Sequence, residues 1–441
     1  MKKNDIDCIL RPLVKEQLSP NASERADISE IYQKIKDILG EECILMGSYA
    51  RFTSIKPVKD IDILYRLPLD TPLLYSPSIL LQHIKELLES EWKDKSGKIF
   101  FTLQSHSLKV EFSNKHFTVD IVPAITLEQR NEFGDPLFFV PEIAYFSHSN
   151  RKNYYRQILD SNIPMSWKCS DPLGYISRTT LLNQSNSDFR KSIKIIKTWN
   201  TYCKKNLWND KGFKSFHLEC FLFNIFRKNP SLSLIESLFE FFTTFKTQIN
   251  IPSVIDRADS NQYIDEYLNK FSEQDKERFR EQIDVALLCI EQIGLANDEE
   301  NVRSFFFNLC YPSKTNCRDS SSEKFLFDFN IQSFVDPKIR LNGCCDVQDL
   351  NGRKYSIDGK IRHTLLKSAS LKFYCVCPEG YKSYWKVKNS LTSPVIRGEI
   401  TRNQTKHYPE HTKYTGHHFV RCYIVKNNIC EAFRHFNIDI E

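Results

Sequence analysis

The sequence predicts an α+β fold in three successive parts: a mixed N-terminal region, a helical middle region and a small β-rich C-terminal region. Up to about residue 165, apolar residues recur at helical spacing in some segments and at strand spacing in others. From about residue 188 the spacing is helical over a long stretch. After about residue 325, short aromatic and β-branched runs alternate with Gly, Pro and Asn. A chain of 441 residues also exceeds what one hydrophobic core usually spans, so several domains are expected.

The N-terminal region alternates helices and strands. Isoleucines at helical spacing predict a helix over residues 23–39, for which Asn21 or Ser23 is available as the cap. A β-rich segment follows at residues 59–67, and a second helix at residues 78–92. Three further strands complete the region, the last of them ending before Pro123: residues 99–103, 108–112 and 117–122.

The middle and C-terminal regions differ sharply in pattern. Four amphipathic helices are predicted in the middle region: residues 189–203, 215–226, 232–245 and 275–293. A polar stretch with three consecutive serines then separates them from the β-rich C-terminal region. We therefore predict four units: an N-terminal lobe (1–165), a helical lobe (166–312), a linker (313–324) and a C-terminal domain (325–441).

Composition excludes several classes of protein. The chain has 61 Lys and Arg residues against 55 Asp and Glu residues, which gives a net charge of +6. This charge is too small to indicate a polybasic nucleic-acid-binding protein, but it suits phosphate-bearing ligands. The sequence shows neither a signal peptide nor a long apolar run, so we expect a cytoplasmic protein that does not contact a membrane. The 14 cysteines form no CxxC pair, which disfavours zinc ribbons and disulfide frameworks.

The residues with the clearest chemistry are three aspartates on predicted strands. Asp60 and Asp62 are two residues apart, so both side chains project from the same face of a strand. Two adjacent carboxylates repel each other unless a cation lies between them, and Mg²⁺ prefers one or two carboxylates together with waters and phosphates. Asp120, in the later strand FTVDIV, would complete a two-metal site.

Gly47 and Ser48 precede the aspartate pair by twelve residues. Glycine allows the backbone to approach a phosphate closely, and the serine adds a hydroxyl donor. A single DxD is more often a solvated strand or turn than a metal site. Here a preceding helix, the Gly-Ser pair, the apolar DxD strand and a further strand aspartate occur together, which favours metal binding by Asp60, Asp62 and Asp120.

The segment GSYARFTSIKPVKDIDILYRL, followed by FTVDIVPA, resembles the nucleotidyltransferase core shared by oligoadenylate synthases and the bacterial cyclic GMP-AMP synthase-like enzymes, known as the CD-NTase or SMODS group. The matching positions are Gly47, Ser48, Thr53, Pro57, Asp60 and Asp62. Phe52 departs from the pattern, because a second glycine is usual there. The resemblance implies a polymerase-β-like nucleotidyltransferase lobe, nucleoside triphosphates as substrates, and Mg²⁺ as cofactor, with Mn²⁺ as its substitute.

The resemblance extends into the helical region through DPLGYISR, FRKSIKIIKTWN and SFHLECFLF. It implies that Lys197 and Ser215 contact the donor triphosphate. From the residues alone, Lys197 fits an exposed helix residue equally well, and Ser215 fits a helix N-cap. Four aromatic residues are candidates for stacking on a base, with core packing as the alternative: Tyr49, Phe52, Tyr145 and Tyr175.

The segments SYWKVKNS, VIRGEI and HYPEHTKYTGHHFVRCYIV resemble the AGS-C sensor domain that accompanies some nucleotidyltransferases of this group. This resemblance implies a regulatory nucleotide or other ligand at the C-terminal domain. Five residues are candidates for contacting it: Trp385, Lys386, Asn389, Arg397 and His417.

Taken together, the resemblances imply a template-independent enzyme that makes a cyclic oligonucleotide second messenger for a downstream effector, in bacterial anti-phage signalling. Asp120 would help to activate the attacking hydroxyl, while Asp60 and Asp62 hold the metal ions. Two alternatives stay open at this point. The chain could make linear oligonucleotides or transfer a nucleotide to RNA or protein, or it could be a non-catalytic nucleotide sensor.

Overall fold

The computed structural model describes residues 1–67, 77–92, 98–104, 106–142, 166–313, 322–358, 363–401 and 407–441. Its N-terminal lobe is a mixed sheet with helices packed on one face. The strands, in chain order, are β1 (Cys43–Met46), β2 (Asp60–Arg66), β3 (Ile99–Leu103), β4 (Leu108–Phe112), β5 (Thr118–Arg130), β6 (Pro136–Glu142) and β7 (Ser166–Ser170). They are arranged in the order β1-β2-β5-β4-β3. Strand β6 pairs with the C-terminal half of β5, and β7 pairs with β6. The pair β2 and β5 is parallel, and the other pairs are antiparallel.

Helices α2 (Ala22–Leu39) and α4 (Pro77–Glu91) cover this sheet, and α3 (Gly47–Ala50) is a single turn between β1 and β2. Of the two predicted caps, Asn21 is used: its side chain accepts a hydrogen bond from the Glu24 backbone N–H in a reciprocal capping box. Ile61 and Ile63 of β2 are buried in the core between sheet and helices. Since side chains alternate along a strand, Asp60 and Asp62 project from the opposite face, away from that core.

The prediction that Pro123 ends its strand is wrong, because β5 continues through it to Arg130. Pairing of β5 with β4 stops at Ile121, and pairing with β6 starts at Ile125. Pro123 therefore lies where one edge of β5 changes partners, so a residue without an N–H group is tolerated there.

The helical lobe surrounds an aromatic core. Its helices are α1 (Lys3–Leu13), α5 (Pro172–Ser185), α6 (Phe189–Asn206), α7 (Ser215–Lys228), α8 (Leu234–Gln248), α9 (Glu273–Leu295) and α10 (Glu299–Cys310), with a π-helical turn at Val14–Leu18 and a 3₁₀ turn at Glu266–Lys270. Phe213 is fully buried among Trp208, Phe245 and Phe279, with ring centroids 4.7–5.6 Å apart. The apolar stripe of α1 belongs to this same core, although the predicted boundary placed residues 1–165 in the N-terminal lobe.

The C-terminal domain is a sandwich of two sheets. Its strands are β8 (Gln332–Ser333), β9 (Gly343–Gln348), β10 (Lys354–Ile357), β11 (His363–Leu365), β12 (Ser370–Cys375), β13 (Lys382–Lys388), β14 (Ile400–Thr401), β15 (His407–His411), β16 (Gly416–Lys426) and β17 (Ile429–Ile440). One sheet has the order β10-β9-β12-β15, and the other has the order β11-β17-β16-β13-β14 with β8 beside β17. Phe373 from the first sheet packs against Trp385 and Phe436 from the second.

The C-terminal domain is joined to the helical lobe by buried polar contacts. Glu291 of α9 accepts hydrogen bonds from the backbone N–H groups of Leu326 and Phe327, at 2.9 and 3.4 Å, in the 3₁₀ turn Leu326–Phe329. Part of the predicted linker, residues 314–321, lies outside the described residues. Its last part is anchored, because Glu323 pairs with Lys386 and Lys388 of β13.

Two further findings concern the described part of the chain. None of its helices combines the length and the apolar character that a bilayer-spanning segment requires. Each cysteine within it is a free thiol.

Candidate active site

A cleft of about 690 Å³ is lined by residues of both the N-terminal lobe and the helical lobe. Six of the seven residues singled out from the sequence line it. The N-terminal lobe contributes Gly47, Ser48, Asp60 and Asp62, and the helical lobe contributes Lys197 and Ser215. The seventh, Asp120, is brought next to Asp62 by the pairing of their strands.

The parallel register of β2 and β5 sets Asp62 directly opposite Asp120. Burial, together with the smaller effects of the charges of Asp60 and Asp120, raises the pKa of Asp62 to about 6. Burial and the charge of Asp60 likewise raise the pKa of Asp120 to about 6. The three carboxylates are thus near enough to repel one another, and a bound cation would relieve this repulsion.

The donor set fits a divalent cation. The Oδ1 atom of Asp120 is buried and has no hydrogen-bond partner among the described residues. In the same part of the chain, no three Asp, Glu, His or Cys side chains converge on a ready-made metal cluster. A divalent cation bound here would take only part of its coordination shell from these carboxylates, and Mg²⁺ characteristically takes the rest from waters and substrate phosphates.

Gly47 is in close contact with the side chain of Asp62. Its φ is +67°, and a Cβ atom at this position would overlap the Asp62 carboxylate, lying 2.7 Å from its Cγ. Only glycine satisfies both the left-handed backbone and the close approach. The adjacent Ser48 has its hydroxyl 3.2 Å from that of Ser54 and accepts a hydrogen bond from Thr53 at its backbone carbonyl.

Phe52 keeps the backbone conformation that a glycine would favour at its position. Its φ is +58°, in the left-handed region, and its side chain is 65% exposed. The guanidinium of Arg190 lies over the Phe52 ring, 4.8 Å from its centroid. The departure from the family pattern therefore leaves the left-handed turn intact and adds a cation–π contact.

The aromatic candidates for base stacking lie elsewhere. Tyr49 packs against the core of the N-terminal lobe, and Tyr175 packs edge-on against Phe216 with its hydroxyl 3.3 Å from Asp256. Tyr145 lies outside the described residues. Among those described, the aromatic side chain that lines the cleft is Phe216, which the sequence analysis missed although it directly follows Ser215.

Lys197 is buried and forms part of a three-residue ion pair. Its ammonium lies 2.9 Å from Oε1 of Glu219, and the guanidinium of Arg51 donates to both oxygens of the same carboxylate, at 2.8 and 3.3 Å. Burial alone would raise the pKa of Glu219, but Arg51 and Lys197 outweigh it and lower that pKa to about 2. The interpretation of Lys197 as an exposed helix residue does not fit this environment. Sequence reasoning also missed Arg51 and Glu219, because their pairing joins residues 168 positions apart.

The rest of the cleft wall adds positive charge. Ser215 is the first residue of α7 and Lys214 is its N-cap, so Ser215 does not serve as the cap. Lys59, Lys204 and Lys205 also line the cleft. Burial and the nearby charge of Lys59 lower the pKa of Lys204. Clustered cations that repel one another in this way suit a polyanionic ligand such as a triphosphate.

A second cavity, of about 430 Å³, lies on the β9-β10-β12 part of the C-terminal domain. Lys354, Tyr355, Lys372 and Tyr374 line it. The five candidates from the sequence are not among its lining residues. Two of them, Trp385 and Lys386, are buried, and Lys386 pairs with Glu323. The other three have local partners: Arg397 pairs with Glu410, Asn389 donates to the Val395 carbonyl, and His417 contacts Asp439.

Comparisons with known proteins agree with the two resemblances. The family model of the Second Messenger Oligonucleotide or Dinucleotide Synthetase (SMODS) domain matches residues 6–136. The model of the Adenylyl/Guanylyl and SMODS C-terminal sensor (AGS-C) domain matches residues 320–441. The first span contains Gly47, Ser48 and all three aspartates. No curated protein matches the chain in sequence.

Among solved structures, E. coli MS115-1 CdnC with ATP is similar in fold, with a TM-score of 0.51 and 14% sequence identity. The match covers 70% of this chain and 98% of CdnC. The complex of the same CdnC with HORMA-deltaN gives a TM-score of 0.50 at 14% identity, covering 70% and 97% of the two chains. At this identity the likeness shows a shared fold, which agrees with the predicted polymerase-β-like lobe and helical lobe.

Proposed function

We propose that this chain, whose residues 6–136 match the SMODS domain and whose residues 320–441 match the AGS-C domain, joins nucleoside triphosphates into a cyclic oligonucleotide second messenger. Each transfer forms a bond between a ribose hydroxyl oxygen and an α-phosphorus, and it breaks the bond from that phosphorus to the departing pyrophosphate. The observation that carries the proposal is that Asp60 and Asp62 line a cleft with cationic walls and that Asp120 lies directly beside Asp62 on the neighbouring strand. The ATP complex of CdnC supports nucleoside triphosphates as the substrate class.

The aspartates would hold Mg²⁺, or Mn²⁺ in its place. When bound, such a metal lowers the pKa of the attacking hydroxyl and neutralises charge on the pyrophosphate. Asp60 and Asp62 face the triphosphate, and Asp120 helps to activate the hydroxyl. Gly47 lets the backbone approach the phosphates, while Ser48, Lys197 and Ser215 bind them.

The C-terminal domain would bind a regulatory nucleotide or another ligand. The cavity lined by Lys354, Tyr355, Lys372 and Tyr374 offers aromatic faces and cations, which together suit a base and a phosphate. The product would act on a downstream effector in anti-phage signalling.

The test is to incubate the purified chain with four labelled ribonucleoside triphosphates and Mg²⁺, and then to treat the products with phosphatase. We expect a phosphatase-resistant product from the wild type and none from the Asp60→Ala/Asp62→Ala variant. Asp37→Ala, which removes an exposed carboxylate from α2, is the control and should retain full activity.

The same assay distinguishes the alternatives. Phosphatase-sensitive oligomers would favour a linear oligonucleotide synthase, and label appearing on added RNA or protein would favour transfer to those acceptors. If no product forms with added RNA, phage extract or deoxynucleotides, a non-catalytic nucleotide sensor is favoured. Removal of Mg²⁺ with EDTA should abolish product formation, and Mn²⁺ should restore it.

A further inference from the structure

Glu219 connects three elements that surround the cleft. It lies on α7, and its carboxylate binds Lys197 of α6 and Arg51, which follows α3 in the N-terminal lobe. All three side chains are buried, with exposed fractions of 5% for Glu219, 6% for Lys197 and 9% for Arg51. The ion pair therefore ties the Gly47–Ala50 turn to the helical lobe at the cleft wall.

This arrangement is poorly suited to a purely stabilising role. Removing charges from water is costly, and a buried ion pair is often no more stabilising than apolar residues of the same size. Here two cations share one carboxylate, so the cluster keeps one positive charge in excess. Arg51 and Lys197 both line the cleft that Asp60 and Asp62 line, so the excess positive charge lies in the wall of the same cleft.

A carboxylate in the wall of a triphosphate site would repel the substrate unless nearby cations neutralised its charge. Both oxygens of Glu219 are engaged, Oε1 by Lys197 and by Arg51, and Oε2 by Arg51. The remaining N–H donors of the ammonium and guanidinium are fixed in direction by these bonds. Long cationic side chains that would otherwise sample many rotamers are thereby pre-organised for an anion.

We propose that Glu219 is a positioning residue for nucleotidyl transfer, which holds Arg51 and Lys197 in place so that both cations meet the substrate triphosphate. Arg51 thereby becomes a second triphosphate-binding cation beside Lys197. The inference rests on the proposed function, since it assumes that a triphosphate occupies this cleft.

The test compares triphosphate with monophosphate binding in the full-length chain. Binding of a non-hydrolysable ATP analogue and of AMP is measured with Mg²⁺ for the wild type, Glu219→Gln and Glu219→Asp, alongside KM and kcat. We expect Glu219→Gln to weaken analogue binding and to raise KM by about tenfold, as for the loss of a charge-assisted contact, with AMP binding unchanged. Glu219→Asp keeps the charge but shortens its reach, so it should show a smaller loss of the same kind.

The control is Asp135→Asn, which removes an ion pair of similar kind. Asp135 in the β5–β6 turn pairs with Arg257 of the helical lobe, and neither residue lines the cleft. It should leave the ratio of analogue to AMP affinity unchanged. Circular dichroism establishes that each variant is folded; should Glu219→Gln fail to fold, Glu219→Asp decides.

Two results would overturn the proposal, and they are distinguishable. If the wild type prefers the triphosphate analogue and the folded Glu219 variants keep that preference, or lose both ligands equally, Glu219 has no positioning role but the proposed function stands. If the wild type itself binds the analogue no better than AMP, the proposed function fails as well.

Discussion

At the residue scale, the contact between Gly47 and Asp62 leaves no space for a side chain. We expect Gly47→Ala to reduce product formation by at least about a hundredfold, because the added methyl group displaces the Asp62 carboxylate and strains a backbone with φ of +67°. Steady-state product formation measures the loss.

Gly352→Ala is the matched control for this substitution. Gly352 also has a left-handed φ, +76°, but no atom lies within 4 Å of its added Cβ. It therefore carries the backbone strain without the displacement of a carboxylate. Equal activity in the two variants would contradict the role given to the contact between Gly47 and Asp62.

Asp120 shows the cost of assembling the site. Its pKa is raised from 3.8 to about 6, so the Asp120 carboxyl group binds its proton more tightly in the folded state than in the unfolded state. For the metal-free protein, the stability from this group is complete below pH 4 and is lost as the pH rises to about 6. Asp120→Asn should therefore increase the free energy of unfolding at pH 8 by about 1–2 kcal/mol, change it little at pH 4, and abolish activity.

Urea denaturation in EDTA at the two pH values measures this effect. An Asp120→Asn variant that is less stable than the wild type at pH 8 would contradict the expected electrostatic cost.

At the element scale, α9 packs against β8 through Gly294. A Cβ atom at this position would overlap the backbone carbonyl oxygen of Ser333, so the two elements approach as closely as glycine permits. Alanine is the better helix former by about 1 kcal/mol, yet we expect Gly294→Ala to destabilise the protein by about 1–3 kcal/mol through this overlap. Denaturant unfolding of the full chain provides the measurement.

Glu281→Ala, at an exposed position of the same helix, is the comparison for this variant. It should change stability by less than about 0.5 kcal/mol. If Gly294→Ala proved as stable as Glu281→Ala, the two elements would have to separate at no cost, contrary to the observed packing.

At the scale of the whole molecule, Glu291 is a buried acid between the helical lobe and the C-terminal domain. Burial raises its pKa from 4.5 to about 7, although Lys386 and the N–H groups of Phe327 and Leu326 act in the opposite direction. The stability that its protonated form contributes is complete below pH 4.5 and is lost as the pH rises to about 7. Glu291→Gln should therefore be more stable than the wild type by about 2–4 kcal/mol at pH 8 and similar at pH 4.5.

Thermal unfolding followed at both pH values tests this difference. The glutamine carbonyl keeps an acceptor for the two backbone N–H groups, so the substitution removes the charge and retains the shape. Lower stability of Glu291→Gln at pH 8 would show instead that ionised Glu291 pairs favourably with Lys386 across the junction.

Short-range patterns predicted the elements well. Isoleucine spacing located α2, and the four helices predicted in the middle region are present as α6 to α9, because an amphipathic stripe is a local property of the sequence; α5 and α10 were not predicted. The prediction that the strand ends before Pro123 was wrong because a proline is tolerated where one edge of its strand has no hydrogen-bonded neighbour. Whether such a gap exists at Pro123 depends on where β4 and β6 pair with β5. The placement of α1 in the helical lobe depends on packing between segments distant along the chain.

The sequence by itself identified the three aspartates and the Gly-Ser pair as candidate site residues, and it predicted the α+β class. Both inferences rest on strand alternation and motif spacing, which operate over a few residues. Only the tertiary structure decided that Asp120 faces Asp62, that Phe216 lines the cleft, and that Glu219 binds Arg51 and Lys197 together. Packing between segments that are distant in the sequence sets the register between strands. The same packing sets the charge pairing between lobes. No local periodicity of the sequence encodes that packing.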